Sequence, residues 1–165
     1  MAARAVLFLC TANSSRSILA EAYLNHAGRG RFVAYSAGSH PGGRVNPFAL
    51  QLLAERGIGA AGLRSKSWDE FARAGAPKID LIFTVCDDAA GEVCPIWPGR
   101  PLSAHWGVPD PAAVRGGEAE KRAAFRRALD VLAARIDQLV ALPVETLDPA
   151  TLKQRLEQIG ESARA

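Results

Sequence analysis

Cys10 and Arg16 close the two ends of the run Cys10-Thr11-Ala12-Asn13-Ser14-Ser15-Arg16-Ser17, and everything between them is small or polar. A cysteine thiolate is a strong nucleophile. A guanidinium presents a planar fork of donors that matches two oxygens of a phosphate-like ion, which a lysine would not. The pair suits attack on a tetrahedral oxyanion. Thr11, Ala12, Ser14 and Ser15 let a backbone loop close round such a ligand. Asn13 tolerates a left-handed backbone, and its amide can brace the loop. A free cysteine titrates near ~8.5. Inward N–H groups, the Ser17 hydroxyl and the Arg16 charge all favour the anion, so a lowered pKa is expected for Cys10. The oxyanion set read from the sequence is Thr11, Ala12, Asn13, Ser14, Ser15, Arg16 and Ser17, with Cys10 and Arg16 catalytic.

The spacing alone is weak in a chain this rich in arginine, and its setting carries the reading. Val6 to Leu9 is an apolar run that reads as a buried strand. From Ser17, a plausible N-cap, residues Ile18, Leu19, Ala22, Tyr23 and His26 recur at helical spacing. The loop therefore lies between a strand's carboxyl end and a helix's amino end, where N–H groups converge and the dipole favours anions. Arg31 to Ala37 reads as a second strand, ending at Gly38. Pro47 to Arg56 is a helix capped by Asn46, and Ser67 to Ala74 is a shorter one. Asp80 to Val85 is the clearest strand and delivers a second cysteine, Cys86. Leu102 to Trp106 is a fourth strand, and Glu118 to Leu142 a long helix with Phe125, Leu129, Leu132, Ile136 and Leu139 inward. Asp148-Pro149 opens a last amphipathic helix with Leu152, Leu156 and Ile159 on one face. This alternation predicts an α/β fold with a parallel sheet covered on both faces. Sites in such sheets form at the carboxyl ends of strands, where Cys10 and Cys86 both emerge.

The 165 residues, 48% hydrophobic, suit one domain with a sizeable core. The expected division is 1–142 for that domain and 143–165 for a helical tail. No apolar stretch approaches a membrane span and no secretory signal is evident. Three cysteines at irregular spacing argue against a secreted disulfide scaffold and fit a reducing cytoplasm. Cys86 and Cys94 are either reactive thiols or buried hydrophobes. Zinc is a poor third, because neither a C-x-x-C pair nor a suitably spaced histidine exists. A net charge of +3 is mild. The basic stretch from Arg115 to Arg135 alternates with Glu118, Glu120, Asp130 and Asp137, which reads as a solvated helix face and not a nucleic-acid surface. A cytoplasmic monomer without cofactor, metal, membrane or nucleic-acid partner is expected.

Cys10 to Ser17 after a strand resembles the phosphate loop of the low-molecular-weight protein tyrosine phosphatase superfamily, and more closely its bacterial arsenate reductases. The resemblance extends over roughly residues 4 to 140. It includes Tyr35-Ser36-Ala37-Gly38, Thr84-Val85-Cys86-Asp87-Asp88, Cys94-Pro95 and His105-Trp106-Gly107-Val108-Pro109-Asp110-Pro111. It implies a four-stranded parallel sheet in the order 2-1-3-4, flanked by helices, with the last helix as an extension. Two features set the chain apart from the phosphatases. Ser15 stands where their loop usually has a second cysteine, and Asp110-Pro111 runs into Ala112-Ala113 where they have tyrosines. Cys86 and Cys94 match the redox cysteines of the reductases. Some members bind potassium through Asn, Glu, Ser and Asp side chains. Asn13, Glu21 and Ser36 match three of these, but Ser67 stands at the fourth, and no cation is expected.

The resemblance also implies a mechanism. Cys10 attacks arsenate, Arg16 and the loop N–H groups hold its oxygens, and Asp110 protonates the leaving oxygen. Cys86 then attacks Cys10 and arsenite departs, Cys94 attacks Cys86, and thioredoxin or glutaredoxin resets the pair. Phosphate or sulfate would compete as oxyanions. The alternative is a phosphatase of the same fold working through a Cys10 phosphocysteine, with Cys86 and Cys94 protecting or regulating Cys10.

Overall fold

A computed structural model describes residues 3–86 and 101–162. Strand β1 (Arg4–Cys10) is buried from Val6 onward. Val6, Phe8 and Cys10 enter the larger apolar cluster, while Leu7 and Leu9 enter a smaller one on the opposite face. A strand apolar on both sides belongs in the middle of a covered parallel sheet. β1 is flanked by β2 (Phe32–Gly38) and β3 (Leu81–Thr84), and β4 (Leu102–His105) lies beyond β3. The order is β2-β1-β3-β4, all parallel, as the resemblance implies. Leu9 pairs with Thr84, and Val85 donates its N–H to the Leu9 carbonyl. This register carries Cys10 and Cys86 off the same end of adjacent strands.

The larger cluster is closed by α1 (Arg16–Ala27), α2 (Pro47–Glu55), α3 (Glu118–Ala141) and α4 (Pro149–Ser162). On the other face, a 3-10 turn at Trp68–Phe71 packs with Ile79 over Leu7, Leu9 and Ile82. Sequence boundaries hold to within a residue or two for most elements. Asn46 caps α2 through a bond from the Phe48 N–H (2.9 Å). Asp148 caps α4 through the Thr151 N–H (2.9 Å). Three expectations need correcting. The helix expected over 67–74 contracts to a 3-10 turn. Trp68 and Phe71 are three residues apart and both bury on the sheet, a spacing that eclipses in 3-10 geometry, and Gly75 then takes φ 85°. Ser17 is not a cap, because α1 starts at Arg16 with Ser15 at the cap position and Ser17 inside the first turn.

A third correction concerns α3. Arg135, assigned to a solvated face, is 1% exposed, and its Nη1 donates to the carbonyls of Trp106 (2.8 Å) and Gly107 (3.0 Å). α4 lies along β4. Leu152, Leu156 and Ile159 are buried in the common core, and the Trp106 indole N–H donates to the Leu156 carbonyl (2.9 Å). Among the described residues, no helix is long and apolar enough to cross a membrane.

Candidate active site

The loop after β1 is held from outside by its carbonyls. Those of Cys10, Thr11, Ala12 and Ser14 accept from the N–H groups of Ser39 (3.3 Å), His40 (2.9 Å), Gly42 (3.1 Å) and Asn46 (2.9 Å). The Ser65 hydroxyl adds a second bond to the Ala12 carbonyl (3.0 Å). In a trans peptide the N–H opposes the C=O. The amides of Thr11, Ala12, Asn13 and Ser15 therefore face the concave side, as an anion cradle requires.

Asn13 is the hinge of this turn. Its φ is 50°, the left-handed conformation its residue type tolerates. Its buried side chain donates to Ser17 Oγ (2.8 Å) and Ser36 Oγ (2.9 Å) and accepts the Lys66 N–H (2.9 Å). Ser17 thus braces the loop from behind. Gly38, at the end of β2, permits the close approach, since a Cβ there would stand 2.4 Å from the Thr11 carbonyl oxygen.

Below the loop, the Ser36 hydroxyl donates to Glu21, and the Lys66 ammonium lies 3.8 Å from the same carboxylate. Burial pushes the Glu21 carboxyl up and the Lys66 amine down, and their mutual attraction opposes both shifts. Ser67 is not part of this group, because its hydroxyl accepts from the Asp69 N–H and caps the 3-10 turn (3.1 Å).

Arg16 reaches across the mouth of the loop. Its Nη1 donates to the Val108 carbonyl (3.0 Å), and Nη2 is 3.7 Å from Asp110 Oδ2. Arg16 Nε and the Ser15 hydroxyl are buried without a hydrogen-bond partner among the described residues. Leaving buried donors unmade is costly, and an oxyanion in the cradle would supply the acceptors they lack. Asp110 also caps the turn Pro111–Ala113 through the Ala112 N–H (2.9 Å). That cap fixes one carboxylate oxygen and leaves the other toward Arg16.

Cys10 and Cys86 are both buried free thiols, and they lie near each other at the ends of adjacent strands. The Thr11 hydroxyl is 3.5 Å from the Cys86 sulfur. The expected lowering of the Cys10 pKa is not what this arrangement produces. The Cys86 thiol first, and burial second, push it up, against the pull of Arg16 and the Thr11 backbone N–H. The resemblance places Cys86 within attacking reach of Cys10, but the expectation for Cys10 counted the cradle alone and not the effect of that thiol on its titration. The structure brings together Cys10, Thr11, Arg16, Cys86 and Asp110. Cys94, with Asp87 and Asp88, lies outside the described residues.

Three residues around the site were missed: Lys66 under the loop, and Arg135 and Trp106 behind the segment that carries Asp110. A lysine in a polar loop and an arginine in a charge-rich helix carry no signal of burial. Trp106 enters the sequence reading only as the end of a strand and part of a motif, without a sign of what it holds.

Known proteins share this construction. The model of the low molecular weight phosphotyrosine protein phosphatase family matches residues 5–156. An arsenate reductase of Halalkalibacterium halodurans is 38% identical over 133 residues, 81% of this chain and 92% of that protein. The crystal structure of an arsenate reductase from Archaeoglobus fulgidus is similar with a TM-score of 0.64 at 33% identity, covering 83% of this chain and 99% of the other. A thioredoxin-dependent arsenate reductase of Corynebacterium glutamicum gives 0.60 at 25% identity over 83% of this chain, which spans 60% of that longer chain. The cradle, the order of strands and these relatives agree, and the chain belongs to the low molecular weight phosphotyrosine protein phosphatase family.

Proposed function

We propose that the protein is a thiol-dependent arsenate reductase, forming arsenite through a relay from Cys10 to Cys86 to Cys94. The observation that carries this reading is the second buried thiol, which leaves β3 at the same end of the sheet as the nucleophile leaves β1. Phosphate-ester hydrolysis needs one sulfur and a water. A second sulfur at bonding reach is what a disulfide-forming step requires.

Arsenate enters the cradle, where the loop amides, the Ser15 hydroxyl and Arg16 bind its oxygens. The Cys10 thiolate attacks arsenic, and one oxygen leaves as water with a proton from Asp110. Cys86, as thiolate, then attacks the Cys10 sulfur. A sulfur–sulfur bond forms and the sulfur–arsenic bond breaks. Its electron pair stays on arsenic, which leaves reduced by two electrons as arsenite. Cys94 attacks Cys86, moves the disulfide to Cys86–Cys94 and releases Cys10. A dithiol protein, thioredoxin or glutaredoxin, supplies two electrons to reopen that bond. Phosphate and sulfate compete for the cradle, and the reaction belongs in a cytoplasm that keeps thiols reduced.

The reading is tested by incubating the purified chain with arsenate, NADPH and either thioredoxin or glutaredoxin with its reductase. Sustained arsenite release is expected, and Cys94→Ser should limit it to one round. No arsenite, with aryl phosphate hydrolysed in the absence of any thiol, would assign the chain to the phosphatases.

A further inference from the structure

We infer that α4, the C-terminal helix, is a positioning element of the active site: through Trp106 it sets the segment 106–110 so that Asp110 meets Arg16. The inference rests on the proposed role of Asp110 as proton donor.

Segment 106–110 leaves β4 and carries both groups that meet Arg16, the Val108 carbonyl and the Asp110 carboxylate. On the side of the sheet, it is fixed by backbone bonds from Trp106 N to the Thr84 carbonyl (2.7 Å) and from Val108 N to the Val85 carbonyl (2.9 Å). Three further contacts clamp it at Trp106. The indole N–H bonds the Leu156 carbonyl of α4. The ring stacks on Phe83 with centroids 3.8 Å apart, and Arg135 holds the Trp106 and Gly107 carbonyls.

α4 can sit this close because of Gly160. A Cβ there would stand 2.6 Å from the His105 carbonyl oxygen and 2.7 Å from Trp106 Cδ1, and one of these neighbours is backbone that cannot swing aside. A helix that only covered an apolar sheet edge could stand off by a methyl group at little cost. This one makes a buried polar contact two residues before the segment's Arg16-bound carbonyl. A small displacement of Trp106 passes to Val108 and Asp110 through Gly107 and Pro109, and misplacing a catalytic group by about 1 Å can cost on the order of a hundredfold in rate.

The test uses the full chain, reduced and without external reductant, and reads the single-round rate of arsenite formation at saturating and limiting arsenate. Gly160→Ala and Trp106→Phe are each made alone and together with Asp110→Asn. Trp106→Phe keeps a ring over Phe83 and removes the indole N–H with the five-membered ring that carries it, so it tests the contact to α4 if Gly160→Ala does not fold. Each single variant should slow the saturated rate by about tenfold or more, with half-saturation by arsenate within about twofold. In the Asp110→Asn background the same changes should add less than about twofold, because the group they position is already gone. Equal losses in both backgrounds, or no loss in either single variant, would overturn the inference and leave α4 a structural cover. No effect of Asp110→Asn itself would remove the proton-donor role, and the inference with it. No arsenite from the unaltered chain would instead refute the reductase reading.

Discussion

Cys10 is governed by its neighbours more than by its loop. The Cys86 thiol is the largest cause of its raised pKa, ahead of burial, while Arg16 and the Thr11 N–H work the other way. Cys86→Ala should therefore bring the Cys10 titration down toward or below the ordinary range of ~8.5. The pH dependence of Cys10 alkylation checks this, and an unchanged or higher value would contradict it. Asn13 gives a second prediction at this scale. Asn13→Ala leaves a left-handed backbone without its side-chain compensation and strips three buried bonds. A loss of about 2–4 kcal/mol in denaturant unfolding is expected, with phosphate binding weakened beyond detection. Several of these residue roles were legible in the sequence. The Asn13 conformation followed from the few residue types that tolerate it, and the cradle from small residues between a cysteine and an arginine. The Cys10 titration was not, because the register between β1 and β3, which sets Cys86 beside Cys10, is absent from any local pattern.

The elements explain why the loop keeps its shape. Strand β2 ends at Gly38, whose missing side chain lets the Thr11 carbonyl pass, and segment 39–46 ties down the loop's outer rim. Gly38→Ala should displace the loop while leaving the strands paired. Phosphate or arsenate raises the melting temperature of a protein it binds only when folded. That increment is expected to vanish in Gly38→Ala, and its survival at full size would show that the loop tolerates the clash. Apolar periodicity placed every strand and long helix within a few residues, because burial on a sheet imposes that periodicity. It failed where tertiary packing chose the geometry. Trp68 and Phe71 drew a would-be helix into a 3-10 turn, and Arg135 of α3 turned inward to bind carbonyls at the end of β4.

For the molecule as a whole, a buried Glu21–Lys66 pair beneath the loop makes stability depend on pH. Burial holds the Glu21 carboxyl above the usual carboxylate range, against the Ser36 hydroxyl and Lys66. The folded chain then binds that proton more tightly than the unfolded chain. The stability this gives is fully present below the unfolded value and is lost as pH rises through the raised folded value. Relative to Glu21→Gln, the unaltered protein should therefore gain in stability as pH falls from about 7 toward about 4.5. Unfolding midpoints across that range check it, and a gap that shrinks or reverses on acidification would contradict it. The fold class and order of strands came through from the sequence, because alternation and a specific set of motifs constrain both. Lys66 and the clamp on Trp106 did not, since each depends on which distant segments meet.

The central claim, electron transfer from sulfur to arsenic through Cys10 and Cys86, is tested most directly by mapping disulfides. Fully reduced protein is mixed with arsenate alone, quenched with an alkylating agent, and its cysteine pairs are assigned by mass spectrometry beside the arsenite released. One arsenite per chain is predicted, with Cys86 joined to Cys94 and Cys10 alkylated, and with Cys10 joined to Cys86 in Cys94→Ser. Arsenite released while all three thiols remain reduced, or no disulfide at Cys86 after turnover, would contradict it.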